Sequence, residues 1–147
     1  MMRETGERLR QVVDAASPRL TQIDDSESAR QPSAEKWSRK QVLGHLIDSA
    51  SNNHQRFIRA QLSEELAFPG YDQEGWVQAQ RYDGESWADM VAAWSSFNRH
   101  LAHVISSIPE EAAGRRCAIG DNPSVTLAFL ASDYVDHLEH HLGQILS

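Results

Sequence analysis

The chain has a single cysteine, Cys117, which excludes an intrachain disulfide framework. It has no apolar run near the length of a membrane span, and Met1-Met2-Arg3-Glu4-Thr5 carries no apolar signal segment. No membrane association and a cytoplasmic location are therefore expected. Basic clusters are also missing. The net charge is -7, and Lys36-Arg39-Lys40 is too small a group to neutralise a phosphate backbone, so nucleic acid is not an expected partner. Alternating strand patterns are nearly absent, and there are only five prolines in 147 residues. What remains is a chain 40% hydrophobic, long enough for one core, read as a single domain over residues 1–147.

Four stretches carry helical periodicity. Leu9, Val12, Val13 and Ala16 predict a helix over Arg3–Ser17, stopped by Pro18. Residues 18–36 read as a loop with a short turn near Leu20–Ile23. Ser38 followed by Gln41 is a capping box, opening a helix that runs through Val42, Leu43, His45, Leu46, Phe57 and Leu62. Trp37, just before that cap, reads as a hydrophobic staple. Ser63–Gly84 reads as an irregular cover, with a Pro69-Gly70 turn and a short helix near Glu74–Ala79. Ser86 with Asp89 opens a third long helix through Met90, Trp94, Leu101 and Ile105, ended by Pro109. After a loop over residues 110–123, a fourth runs from Thr126 to Leu146. Four helices and no clear strand predict an all-α fold, a four-helix bundle.

The fourth helix raises the chemical question. His137 and His141 are one turn apart on the face that also carries Leu127, Leu130, Tyr134 and Ile145. Imidazoles on a buried face need partners for two ring nitrogens each, and a metal ion supplies one. His45, flanked by Leu43, Leu46 and Ile47 on the second long helix, is the candidate third ligand. Three neutral imidazoles with one open position suit catalytic zinc. Spacing alone leaves a second reading open, in which these are core histidines bonded to Asp and Tyr side chains.

Asp48 and Asp133 are candidates to fix a ligand tautomer or to serve as general base, with Glu139 a further candidate base. Arg56 is a candidate to hold a substrate carboxylate or phosphate, with Asn52 and His54 beside it on the same helix. His54 reads alternatively as a helix-face polar residue. His140 reads as a surface residue, and His100 and His103 lie near the end of the third helix, where a positive charge suits the helix dipole. Cys117, after Arg115-Arg116, has a charge environment that favours a thiolate, though a lone loop cysteine is more often incidental.

Two motifs resemble a known family. They are Lys36-Trp37-Ser38 with Val42-Leu43-Gly44-His45-Leu46-Ile47-Asp48-Ser49, and Asp133-Tyr134-x-x-His137-x-x-His140-His141-Leu142-Gly143-Gln144-Ile145. The chain is similar to the DinB-like/YfiT-like metalloenzyme superfamily, which includes bacillithiol and mycothiol S-transferases. The resemblance implies a bundle in up-down-down-up order, a divalent metal, zinc or nickel, on His45, His137 and His141, and a homodimer. It implies chemistry on a small-molecule substrate. That chemistry would use either a metal-activated low-molecular-weight thiol, as in an S-transferase or isomerase, or metal-generated hydroxide, as in a hydrolase. A non-catalytic metal-binding stress-response or interaction module is the alternative.

Overall fold

The computed structural model describes all 147 residues. Four long helices carry the core: α1 (Met2–Thr21), α3 (Arg39–Gln61), α5 (Trp87–Ser106) and α7 (Leu127–Leu146). Short helices α2 (Asp25–Ala29), α4 (Gln73–Gln80) and α6 (Glu110–Ala113) lie in the connections. The expected starts of the last three long helices are met by side-chain caps. Ser38 forms the full capping box with Gln41, Ser86 accepts from the Asp89 amide, and Thr126 accepts from the Phe129 amide.

Side-chain contacts give the direction of each rod. Near one end of α1, Gly6 lies against Ser106; near the other, the Trp87 indole donates to the Leu20 carbonyl at 2.8 Å, so α1 and α5 are antiparallel. The close approach at Gly6 is enforced, since a Cβ there would sit 2.6 Å from the Ala102 carbonyl oxygen. Arg39 Nε donates to the Ile145 carbonyl at 2.9 Å while His45 meets His137 and His141, so α3 and α7 are antiparallel. Arg8 pairs with Asp136 and Glu139, and Arg19 reaches the Leu146 carbonyl, so α1 and α7 run parallel. The order is up-down-down-up, with α3 packed between α5 and α7. Leu9, Leu20, Leu43, Phe57, Trp94, Leu101, Leu127 and Leu138 are fully buried in one continuous core. No helix is long and apolar enough to cross a membrane.

Three expectations are corrected. Pro18 does not stop α1, which continues to Thr21. Proline removes only one backbone donor near the helix end, and burial of Leu20 beneath Trp87 favours the extra turn. A small sheet is present: β1 (Glu65–Phe68) pairs in parallel with β2 (Arg116–Ile119), which pairs antiparallel with β3 (Val125–Thr126). The Ser63–Gly84 segment is therefore ordered, running from β1 through α4 to a 3₁₀ turn at Tyr82–Gly84. Together the sheet and α4 pack along the α3–α7 side of the bundle, where the histidines lie.

Candidate metal centre

His45 sits two turns into α3 with 1% of its surface exposed. Its Nε2 lies 3.4 Å from Nε2 of His137, which lies 3.0 Å from Nε2 of His141. One ligand atom from each ring falls within 4.8 Å of the others. Three ring nitrogens thus face one point between two antiparallel helices. The depth differs from the sequence reading: His45 is the buried member, while His137 and His141 are half-buried at the edge of α7. The Trp37 ring covers His45 at 5.5 Å between centroids, so the expected staple residue also shields the site.

The electrostatics disfavour a proton there. Burial, then the neighbouring His137 and His141, pushes His45 down to about 4. Burial and His141 also lower His137, against the opposing pull of Asp133. Nδ1–H of His141 donates to the Gln144 side-chain oxygen at 2.9 Å, which leaves its Nε2 lone pair facing the shared point. Nδ1 of His45 is buried without a partner. Neutral imidazoles with converging lone pairs fit a divalent ion. Nitrogens about 2.0–2.1 Å from a tetrahedral zinc lie about 3.3 Å from one another, close to the separations of His137 Nε2 from the Nε2 atoms of His45 and His141.

The other candidates sort by what their side chains touch. Asp48 lies one turn beyond His45, only about 60° round the helix, but its carboxylate is engaged by Tyr82 and Gln80 rather than by the triad. Its Oδ1 accepts from Tyr82 Oη and Gln80 Nε2, both at 2.7 Å, and makes no bond to a histidine. Burial raises its carboxyl pKa, and Gly44 gives the Tyr82 ring its seat, since a Cβ there would lie 2.1 Å from the ring. Asp133 is exposed beside His137 and acts on it by charge without a hydrogen bond. Glu139 is turned toward α1, paired with Arg8. His54, nine residues or about half a turn out of phase with His45, packs on Phe97 and His100. Asn52 donates to the carbonyl of Asp48 at 2.9 Å. His140 is exposed, as expected, and so are His100 and His103. Cys117 is buried on β2, and burial raises its thiol pKa, so the flanking arginines do not make it a thiolate.

A cavity of about 590 Å³ opens along the same face. Its α3 wall is Ser49, Asn53 and Arg56, four, eight and eleven residues beyond His45, and its α7 wall includes Asp133 and His137. Tyr71, from the segment before α4, closes one side. Arg56 therefore lines the cavity, whereas Asn52 and His54 do not. Ser49, Asn53, Tyr71 and Gln144 were not singled out as site residues in the sequence. The first two lie four and eight residues beyond His45, and Gln144 three beyond His141, so one-turn helical spacing was the signal that could have drawn attention to them.

Residues 8–145 match the model of the DinB superfamily. A relative from Oceanobacillus iheyensis, provisionally named a metal-dependent hydrolase, is 23% identical over 126 residues, spanning 86% of this chain and 72% of its own. Among solved structures, YfiT from Bacillus subtilis, described as a probable metal-dependent hydrolase with an unusual four-helix bundle topology, aligns with a TM-score of 0.82. That alignment has 22% identity and covers 95% of this chain and 83% of YfiT.

Proposed function

The chain belongs to the DinB superfamily, and on that footing we propose that it is a metal-dependent enzyme, hydrolysing a small molecule held in the cavity beside His137. The observation that carries this reading is the convergence of Nε2 of His45, His137 and His141 next to that cavity. Both relatives, named as hydrolases, support it. In this reading His45, His137 and His141 would hold the ion, zinc or nickel, which would supply Lewis acidity and lower the pKa of a water there. Gln144 fixes the His141 tautomer, and Trp37 keeps water from His45. The Asp133 carboxylate, exposed beside His137 on the same cavity wall, accepts the proton of the attacking water. Tyr71 is pushed up to about 12 by burial and the charge of Asp48, so it stays a neutral donor for the substrate oxygen.

The test is elemental analysis of purified protein, together with assays on small esters and amides with and without low-molecular-weight thiols, read by mass spectrometry. Hydrolysis without thiol, lost with the metal in His141→Ala, is the expected result. Asp133→Asn is expected to retain the metal and lose about 10²–10⁴-fold in kcat. A thiol adduct as sole product would replace hydrolysis by S-transfer. Retained metal without turnover would point to a binding module.

A further inference from the structure

Arg56 is 8% exposed, yet its guanidinium has no carboxylate within ion-pair distance. The other buried cation, Lys40, is matched by Asp25 at 3.2 Å. Arg56 has only a long contact, 3.5 Å, from Nη1 to the side-chain oxygen of Asn53, and its Nε is buried without a partner. The Phe68 ring supports it from one side, 5.5 Å from the guanidinium carbon. Burial with no counter-charge opposes its protonated form. A guanidinium left unmatched on a cavity wall is a two-pronged donor for a planar or tetrahedral oxyanion.

We propose that this cavity binds its ligand by a terminal oxyanion, a carboxylate or a phosphate, held by Arg56 with Asn53 and Tyr71 beside it. The rest of the ligand lies along the apolar wall of Val125, Phe129 and Leu130. His45 and Arg56 are eleven positions apart on α3, about 16 Å of helix rise, and the cavity that Arg56 lines reaches His137 on α7. This deepens the proposed function by naming the substrate class: a compact molecule whose anionic end is remote from its reacting bond.

Calorimetric titration of the full chain with 4-phenylbutanoate, phenyl phosphate and the neutral 4-phenylbutanamide tests it, on chelator-stripped and zinc-loaded protein. At least one oxyanion is expected to bind the stripped protein tenfold or more tightly than the amide. The carboxylate and phosphate arms identify which group is preferred. Arg56→Gln and Arg56→Met are expected to abolish the preference, and His141→Ala, which removes the metal, to retain it. Equal binding of acid and amide by the stripped wild type, a preference that appears only with zinc, or one that survives in both Arg56 variants would overturn the subsite. None of these results would touch metal binding by the histidines, which elemental analysis reads separately. The wild-type comparison decides the matter even if a variant fails to fold.

Discussion

At the scale of single residues, Gln144 and Arg56 have opposite relations to stability and function. Gln144 is exposed and contributes little burial, yet its side-chain oxygen selects which nitrogen of His141 carries the proton. Partners that orient a ligand histidine typically account for 10–100-fold in metal affinity. Gln144→Ala is therefore expected to weaken zinc binding by that factor in a chelator competition while leaving the fold intact; unchanged affinity would mean that the tautomer is set elsewhere. Arg56 is buried and unpaired, so it opposes folding in the absence of ligand. Replacing an uncompensated buried charge by an apolar side chain of similar length removes that penalty. Arg56→Met is expected to unfold thermally at or above the wild-type midpoint in ligand-free protein. A clear drop would show that the Phe68 and Asn53 contacts outweigh the desolvation of the charge.

At the scale of elements, α3 holds the site together, and its ends and packing can be probed one at a time. Ser38→Ala removes the cap and half of the capping box, which is expected to cost about 1 kcal/mol in denaturant unfolding. Gly44→Ala would drive a methyl group into the Tyr82 ring and is expected to cost about 1–3 kcal/mol while loosening the Tyr82–Asp48 bond. A neutral Gly44→Ala would mean that the 3₁₀ turn carrying Tyr82 yields easily. The same helix shows what sequence can and cannot carry. Its cap, its apolar stripe and the inward direction of His45 are local properties, legible residue by residue. So are the Thr126 cap and the one-turn spacing of His137 and His141. The sheet was not legible: strands of four, four and two residues are too short to show a period, and β1 finds β2 across some fifty residues of chain. The cavity was only partly legible for a related reason. Its α3 wall lies at one-turn spacings from His45, but Tyr71 comes from the connection between β1 and α4 and Val125 from β3 of the sheet itself. His54 falls half a turn from His45, whereas Asp48 and Asn52 lie near its phase and are drawn off by local hydrogen bonds, to Tyr82 and Gln80 and to the Asp48 carbonyl, which spacing does not show.

At the scale of the whole molecule, the histidines tie α3 to α7, so metal and protons act on the stability of the bundle. An ion that binds only the folded chain stabilises it by about 2.7 kcal/mol at a hundred times its Kd. At roughly 2–4 °C per kcal/mol for a chain of this size, restoring zinc or nickel to stripped protein is expected to raise Tm by about 5–11 °C. Acid should act in the other direction. His45 is held near 4 in the folded chain against 6.5 when free, so between those values the unfolded chain binds a proton that the folded one refuses. Stability is then complete above pH 6.5 and declines as pH falls toward 4, with His137 shifted in the same sense. Asp48, raised by burial, works against this trend at the acid end of the window, because its folded form favours the protonated carboxyl. Stripped protein is therefore expected to lose Tm between pH 7 and pH 5, and the increment given by metal to shrink over the same interval, because protons and the ion compete for the same lone pairs. His45→Leu removes the imidazole that resists protonation most strongly and should flatten the pH slope of the metal-free protein. If the slope survives that substitution, the acid sensitivity comes from some other group, and His45 is not the buried neutral base from which its role as a ligand is argued.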